Sequence, residues 1–140
     1  MNIGVRGGNP KDYSGVSAEE QNRSMGPLQK DIKGCLLTNN EIYVYVPPKL
    51  PGITCQTDPE AYACLVRSFE VVIKTASSQG SPSVAIPALG VVYQKWKHLQ
   101  SASAARKAVE NIWEEIPDDF TVFFCVPYDQ VELWDQVMTF

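Results

Sequence analysis

Hydrophobic residues along the chain follow two kinds of pattern that alternate with each other. Short runs rich in β-branched and aromatic residues predict buried strands. The clearest runs are residues 42–46, 83–87 and 120–126, with a shorter one at residues 1–5. Between the runs, apolar residues recur every three or four positions, which predicts amphipathic helices. The strongest helix signal begins at Asp58, followed by Pro59 and Glu60, and it ends at Gly80.

Three further helices are predicted from weaker signals. Ser17 and Glu20 have the spacing of a capping box, so a helix is expected to begin near Ser17. Another should begin after a cap at Ser101 or Ser103, and a terminal helix should open at Tyr128. Strands and helices therefore alternate along the whole chain. This order predicts an α/β fold of three layers, in which a mainly parallel sheet is covered on both faces.

Composition restricts the class of protein. The chain has 140 residues, 44% of them hydrophobic and 20% charged, which suits one globular domain spanning residues 1–140. No apolar run approaches the roughly 20 residues of a membrane helix. Residues 1–8 lack an apolar stretch of signal-peptide length, so we expect an intracellular protein, cytoplasmic or nuclear. A net charge of −4 argues against a protein that holds nucleic acid by neutralising phosphates.

The residue types argue against familiar catalytic and metal sites. Cys35, Cys55, Cys64 and Cys125 match no zinc or redox spacing, so we expect reduced thiols and no bound metal. His98 is the single histidine, no nucleophile elbow or phosphate-binding P-loop occurs, and no cofactor is predicted. His98 itself is expected to be a solvated or packed helix residue. These absences favour a binding protein over an enzyme.

Two glycine-containing loops at strand ends are the best candidates for a binding site. One comprises residues 7–10 together with residues 14–16, and the other comprises residues 88–93. Backbone amides that glycine leaves accessible at a strand end can hold an anion without a cationic side chain. Two such loops side by side could hold a diphosphate, although the same glycines could equally serve only to make tight turns.

Residues 83–90, Ser-Val-Ala-Ile-Pro-Ala-Leu-Gly, follow a helix and a strand that ends at Val46-Pro47. This arrangement resembles the macrodomain family, and the resemblance covers roughly residues 3–138. It implies a cleft for ADP-ribose at the strand ends, and some members also hydrolyse ADP-ribose from proteins. By position, the resemblance places Asn9 and Pro10 at the distal ribose, with Tyr93 beside it. It places Ser14, Gly15 and Val16, before the first helix, at the diphosphate. A second phosphate loop is formed by Leu89, Gly90, Val91 and Val92.

The departures from the family pattern imply weak binding. Val91 and Val92 place β-branched side chains where backbone amides should face phosphate, and Gly15 stands where three glycines are common. The family's adenine-contacting aspartate lies upstream of its asparagine loop, which leaves only Asn2 for that role. Losing two or three amide contacts of about 1.5 to 3 kcal/mol each would move a micromolar ligand into the millimolar range.

Three functions remain open at this stage. The first is a monomeric module that binds ADP-ribose, a related nucleotide or an ADP-ribosylated protein. The second is an interaction or nucleic-acid module without the pocket, indicated by basic residues beside exposed Tyr93 and Trp96; the basic residues are Lys95, Lys97, Arg106 and Lys107. The third is an ADP-ribosyl hydrolase in which Asn9 and Asp12 position water. Some family members lie in viral polyproteins, so excision from a longer chain is plausible.

Overall fold

The computed structural model describes residues 1–13, 17–21, 36–38, 41–46, 58–92 and 94–140, and the structural statements below concern these residues. The strands are β1 (Asn2–Gly7), β2 (Ser17–Gln21), β3 (Leu36–Thr38), β4 (Glu41–Tyr45), β5 (Ser83–Pro87) and β6 (Thr121–Val126). The helices are α1 (Pro59–Ser78), α2 (His98–Ile112) and α3 (Val131–Val137). Short 3-10 turns lie at Pro10–Asp12, Trp113–Glu115 and Tyr128–Gln130.

The strands form one sheet in the order β1-β6-β5-β2-β4-β3. β1 pairs in parallel with β6, β6 with β5, β5 with β2, and β2 with β4. Only the pairing of β3 with β4 is antiparallel among the described strands. The predicted α/β class with a mainly parallel sheet is therefore confirmed.

Local signals at both ends account for α1. Asp58 caps the helix, because its carboxylate accepts a hydrogen bond from the Ala61 backbone N–H at 3.0 Å. Pro59 occupies the first turn, where its missing N–H costs nothing. Gly80 follows the helix with a φ of +78°, a conformation that glycine adopts without steric cost. Both predicted ends of this helix are confirmed.

Both faces of the sheet are covered at its centre, along β5 and β6. The three helices pack side by side on one face, where the Phe124 ring lies 6.0 Å from Phe69 of α1 and 5.6 Å from Trp134 of α3. On the opposite face, Ala85 and Cys125 are also buried, and the Tyr13 ring lies 6.3 Å from Phe123. The apolar character of β5 and β6 on both sides follows from this arrangement.

The predicted helix at Ser17 is wrong, because residues 17–21 form strand β2. This strand lies inside the sheet, paired with β4 over its whole length and with β5 at Ser17. Ala18 is completely buried there. Pairing with two neighbouring strands satisfies the backbone more fully than a short polar helix would, so tertiary context overrides the capping-box signal.

The start of α2 also differs from the prediction. The helix begins at His98, and the Lys97 backbone N–H donates to Oε1 of Gln100 at 3.0 Å. Ser101 lies inside the helix, where its buried hydroxyl donates to the Leu89 carbonyl at 2.7 Å, and Ser103 is exposed. Neither serine is the N-cap. No described helix is long and apolar enough to cross a membrane.

Candidate functional site

A cleft of about 330 Å³ opens at the carboxyl ends of the neighbouring strands β1, β6 and β5. In open α/β sheets this edge is where ligands bind. The described residues that line the cleft are Gly8, Asn9, Pro10, Pro87, Ala88, Val91, Val92, His98, Cys125, Pro127 and Tyr128. Most of this lining is apolar, and its polar side chains are an amide, an imidazole, a thiol and a phenol.

The loop after β1 forms one wall of the cleft. Gly8 has a φ of +120°, and its N–H donates to the Val126 carbonyl at 3.0 Å. The Tyr13 hydroxyl donates to the Gly7 carbonyl at 2.6 Å, which anchors the loop to the strand end. The Tyr128 ring packs directly over Gly7, where a side chain would collide with it. Tyr128 is nevertheless 81% exposed, so its outer face is available to a ligand.

The loop after β5 forms the opposite wall, and the Trp96 side chain packs against the inner side of this loop at Gly90. Gly90 has a φ of +85° and is buried, and an added Cβ would lie 2.5 Å from Cδ1 of Trp96. The Trp96 N–H donates to the Gly90 carbonyl at 3.0 Å, and the Val91 N–H donates to the Ala88 carbonyl at 3.3 Å. This glycine therefore permits a tight turn under Trp96, and the Val91 amide is already used within the turn.

His98 lines the cleft from the first turn of α2 and contacts Trp134 of α3. The Trp134 Nε1–H donates to Nδ1 of His98 at 3.1 Å, and the rings meet edge to face at 6.4 Å. An Nδ1 that accepts carries no proton, so the neutral ring holds its proton on Nε2. Burial lowers the pKa of His98 from its ordinary value, opposed in part by the negative charge of Asp129.

Cys125 is a buried free thiol in the cleft wall. Burial raises its pKa to about 11, with Arg6 lowering it and Asp12 raising it by smaller amounts. The group is therefore a neutral thiol near pH 7 and does not have the thiolate character that a nucleophile needs. Cys64 is likewise free and buried, in agreement with the prediction of reduced core cysteines.

The predicted site residues are distributed unevenly around the cleft. Asn9, Pro10, Val91 and Val92 line it. Leu89, which is completely buried, and Gly90, which is also buried, are absent from the described lining. Ser14, Gly15, Val16 and Tyr93 lie outside the described residues. The helix that the resemblance expects after residues 14–16 is strand β2, so the roles carried over for this part of the chain stay predictions.

Asp12 and Asn2, which were considered for roles at the site, lie away from the described lining of the cleft. Asp12 is exposed on the 3-10 turn, with its N–H bonded to the Asn9 carbonyl at 3.0 Å, and it is absent from the described lining. Asn2 sits at the amino end of β1, where its side chain donates to the Asp118 carbonyl at 3.4 Å. The cleft lies at the other end of that strand, so Asn2 cannot take the adenine-contacting role considered for it.

The basic surface beside the cleft differs from the one considered for nucleic acid. Trp96 is only 2% exposed and cannot stack on a base. Arg106 pairs with Glu110 at 2.9 Å, donates to the carbonyls of Val137 and Thr139, and lies 4.6 Å from the Phe140 ring centroid. Of the cluster, Lys95, Lys97 and Lys107 are exposed.

Several lining residues were not predicted as residues of the site. Three of them have a chemically distinctive side chain, namely His98 at the start of α2, Cys125 in β6 and Tyr128 just after β6. Tyr128 could have been found, because it is an aromatic residue two positions after a buried strand. No local sequence pattern could have predicted the contact of His98 with Trp134, because the two residues are 36 positions apart. Within the described ranges there is no group of three or more His, Cys, Asp or Glu side chains that could hold a metal ion.

No protein-family model and no curated protein sequence matches this chain. Solved structures do match. The macro domain of ganglioside induced differentiation associated protein 2 superposes with a TM-score of 0.78 at 13% identity, covering 98% of this chain and 82% of that one. A Trypanosoma brucei macrodomain in complex with ADP gives 0.72 at 13% identity, covering 99% and 69%.

A mutant Oceanobacillus iheyensis macrodomain with ADPR gives a TM-score of 0.58 at 13% identity. The match covers 70% of this chain and 50% of that one, so this chain spans about half of that protein. Sequence identities this low establish the fold and nothing further. The chain has the macrodomain fold, as the resemblance predicted.

Proposed function

We propose that this chain is a binding module for ADP-ribose or a related nucleotide, free or attached to a protein, and that it binds this ligand weakly. The observation that supports the proposal is the cleft at the carboxyl ends of β1, β6 and β5 in a macrodomain fold. The Trypanosoma brucei and Oceanobacillus iheyensis structures with this fold contain ADP and ADPR.

The wall at β1 and β6 suits the base of a nucleotide. Tyr128 offers an exposed aromatic face, on which a base can stack. Asn9 lies in the same wall, and the resemblance assigns it to the distal ribose, whose hydroxyls an asparagine amide can complement because it both donates and accepts. These two residues support a nucleotide as the ligand class.

The wall at β5 supports the weakness of binding. A phosphate bound at a loop is held mainly by backbone N–H groups that point at it. The Val91 N–H is bonded to Ala88, and the side chains of Val91 and Val92 line the cleft beside it. We expect a dissociation constant for ADP-ribose of about 1 mM, equivalent to roughly 4 kcal/mol of binding free energy.

Titration calorimetry with ADP-ribose, extended to about ten times the expected dissociation constant, tests this proposal. The informative variant is Val92→Glu, because Val92 is 66% exposed and lines the cleft. A carboxylate there should repel the diphosphate and weaken binding about tenfold or more. Leu99→Glu is the matched control, since Leu99 is 59% exposed on the next helix but is absent from the described lining.

The proposal requires saturable binding by the unchanged protein and by Leu99→Glu, with weaker binding by Val92→Glu. An unchanged protein that gives no saturable heat over this range would overturn it. Binding by Val92→Glu as tight as binding by Leu99→Glu would place the ligand outside the cleft and would also overturn the proposal.

A further inference from the structure

The imidazole of His98 is held against the protein core by one edge and borders the cleft. His98 lies in the first turn of α2, lines the cleft and is only partly buried. Trp134 of α3 is completely buried, and its ring packs 5.6 Å from that of Phe124. The Trp134 Nε1–H donates to Nδ1 of His98 at 3.1 Å, and the two rings meet edge to face at 81°. One ring nitrogen of His98 therefore has a partner whose position the core determines.

This contact decides what the other ring nitrogen of His98 can do. An indole N–H only donates, so Nδ1 accepts and carries no proton. Burial lowers the pKa of His98, opposed in part by the negative charge of Asp129, and the ring is neutral near pH 7. The one ring proton of the neutral imidazole then lies on Nε2. Because the two nitrogens lie on opposite sides of the ring, the Nε2–H points away from Trp134.

We propose that His98 binds the ligand of the cleft directly, by donating a hydrogen bond from its Nε2–H to an oxygen of the ligand, and that Trp134 is the positioning residue for this donor. This inference rests on the proposed function and names a residue that recognises its ligand. Every oxygen of ADP-ribose belongs to a phosphate or a ribose, so the acceptor lies on one of these groups and not on the base. The accepting nitrogen of the ring faces Trp134, which leaves a donor for the ligand.

Trp134 contributes by preparing the ring before the ligand arrives. A histidine side chain without such a partner shares its proton between two nitrogens and turns about its side-chain bonds, and ligand binding must then select one arrangement. The hydrogen bond from Trp134 makes this selection in the unbound protein. We therefore expect the donor to change the affinity for ADP-ribose by about twofold to tenfold, the usual range for one hydrogen bond.

NMR of the ¹⁵N-labelled protein at about pH 7.5 tests the inference. His98 gives the imidazole signals, because it is the single histidine of the chain. We expect the Nε2–H tautomer in the unbound protein, and a larger shift of the Nε2 signal than of the Nδ1 signal when ADP-ribose is added. Adenosine, ADP and ADP-ribose, added separately, locate the acceptor. The smallest of them that moves the Nε2 signal contains it, on the first ribose, the phosphates or the second ribose respectively.

Two results would overturn the inference and leave the proposed function standing. One is an unbound protein in which His98 is charged or carries its proton on Nδ1. The other is an Nε2 signal that none of the three ligands moves, although ADP-ribose binds. An unchanged protein that binds none of the three ligands would overturn the proposed function together with the inference.

His98→Asn and His98→Gln form a matched pair of variants. A glutamine side chain can place an amide N–H near the position of Nε2, whereas the shorter asparagine can accept from Trp134 but does not reach the ligand. ADP-ribose should bind about threefold to tenfold more weakly to His98→Asn than to the unchanged protein, and His98→Gln should retain more of the affinity. An affinity of His98→Asn equal to that of the unchanged protein would contradict the direct contact.

Trp134→Phe tests the positioning role separately. Without the indole N–H, the NMR signals of His98 should show a mixture of the two tautomers, and ADP-ribose should bind about twofold to fivefold more weakly. Trp113→Phe is the control, because Trp113 packs against Phe140 instead, and it should change neither the tautomer nor the affinity. An unchanged tautomer in Trp134→Phe would contradict the positioning role. Should Trp134→Phe fail to fold, the two His98 variants still decide whether the donor contacts the ligand.

Discussion

Trp134 donates a hydrogen bond of 3.1 Å from its indole Nε1–H to Nδ1 of His98. Trp134 is completely buried in α3, whereas His98 begins α2 and lines the cleft. The bond therefore connects the core to the candidate site. It sets which imidazole nitrogen holds the proton, and it opposes protonation of the ring, because a protonated Nδ1 would have to face the indole N–H.

Replacing Trp134 by phenylalanine should raise the pKa of His98 toward its ordinary value of 6.5. The substitution removes the indole donor, so a protonated Nδ1 no longer has to face an N–H group, and this favours the charged form. NMR titration can measure this directly, because His98 is the single histidine. Trp113→Phe is the control, since Trp113 is partly exposed and packs against Phe140 instead. A His98 pKa that is unchanged in Trp134→Phe would contradict the role given to the bond.

The free energy of unfolding should depend on pH through His98. Because the folded-state pKa is lowered, the unfolded chain binds the proton first as pH falls. This contribution to stability is fully present above the ordinary pKa of 6.5 and is lost progressively as pH falls through it toward the folded-state pKa. When the pH is lowered from about 7.5 to about 5.5, the free energy of unfolding measured in urea should fall less for His98→Gln than for the unchanged protein. Equal losses would show that His98 does not contribute.

Gly90→Ala should destabilise the protein far more than Gly80→Ala. Both glycines have positive φ, +85° and +78°, so each substitution carries a backbone cost of about 1–2 kcal/mol. Only at Gly90 does the added Cβ meet Trp96, at 2.5 Å, whereas nothing lies within 4 Å at Gly80. We expect Gly90→Ala to lower the free energy of unfolding, measured in urea, by at least about twice as much as Gly80→Ala does. Similar losses at the two positions would mean that Trp96 does not pack as described.

Ser101→Ala should cost about 1–3 kcal/mol of stability, because it leaves the Leu89 carbonyl without its buried donor. Ser103→Ala is the control on the same helix, at an exposed position, and should change stability by less than about 0.5 kcal/mol. Thermal or urea unfolding of both variants distinguishes the loss of this buried hydrogen bond from a general effect of removing a serine hydroxyl. Equal stabilities of the two variants would show that this hydrogen bond contributes nothing to the stability of the protein.

Sequence patterns predicted those parts of the fold that depend on neighbouring residues in the chain. Asp58 and Gly80 mark the ends of α1 through interactions within a few positions. The strands β5 and β6 are apolar on both faces because both faces are covered, and this too is visible as a continuous run. From these elements the α/β class and the macrodomain resemblance were predicted correctly.

The remaining features depend on residues that are distant in the chain. Residues 17–21 form a strand because β4 and β5 lie on either side, and Trp96 is buried because it covers Gly90. Asn9 and Tyr128 share a cleft across more than a hundred positions. Local patterns contain the capping and periodicity signals of single elements. Strand pairing and burial are set by partners that only the folded chain brings together, so the cleft and its chemistry became visible only in the tertiary structure.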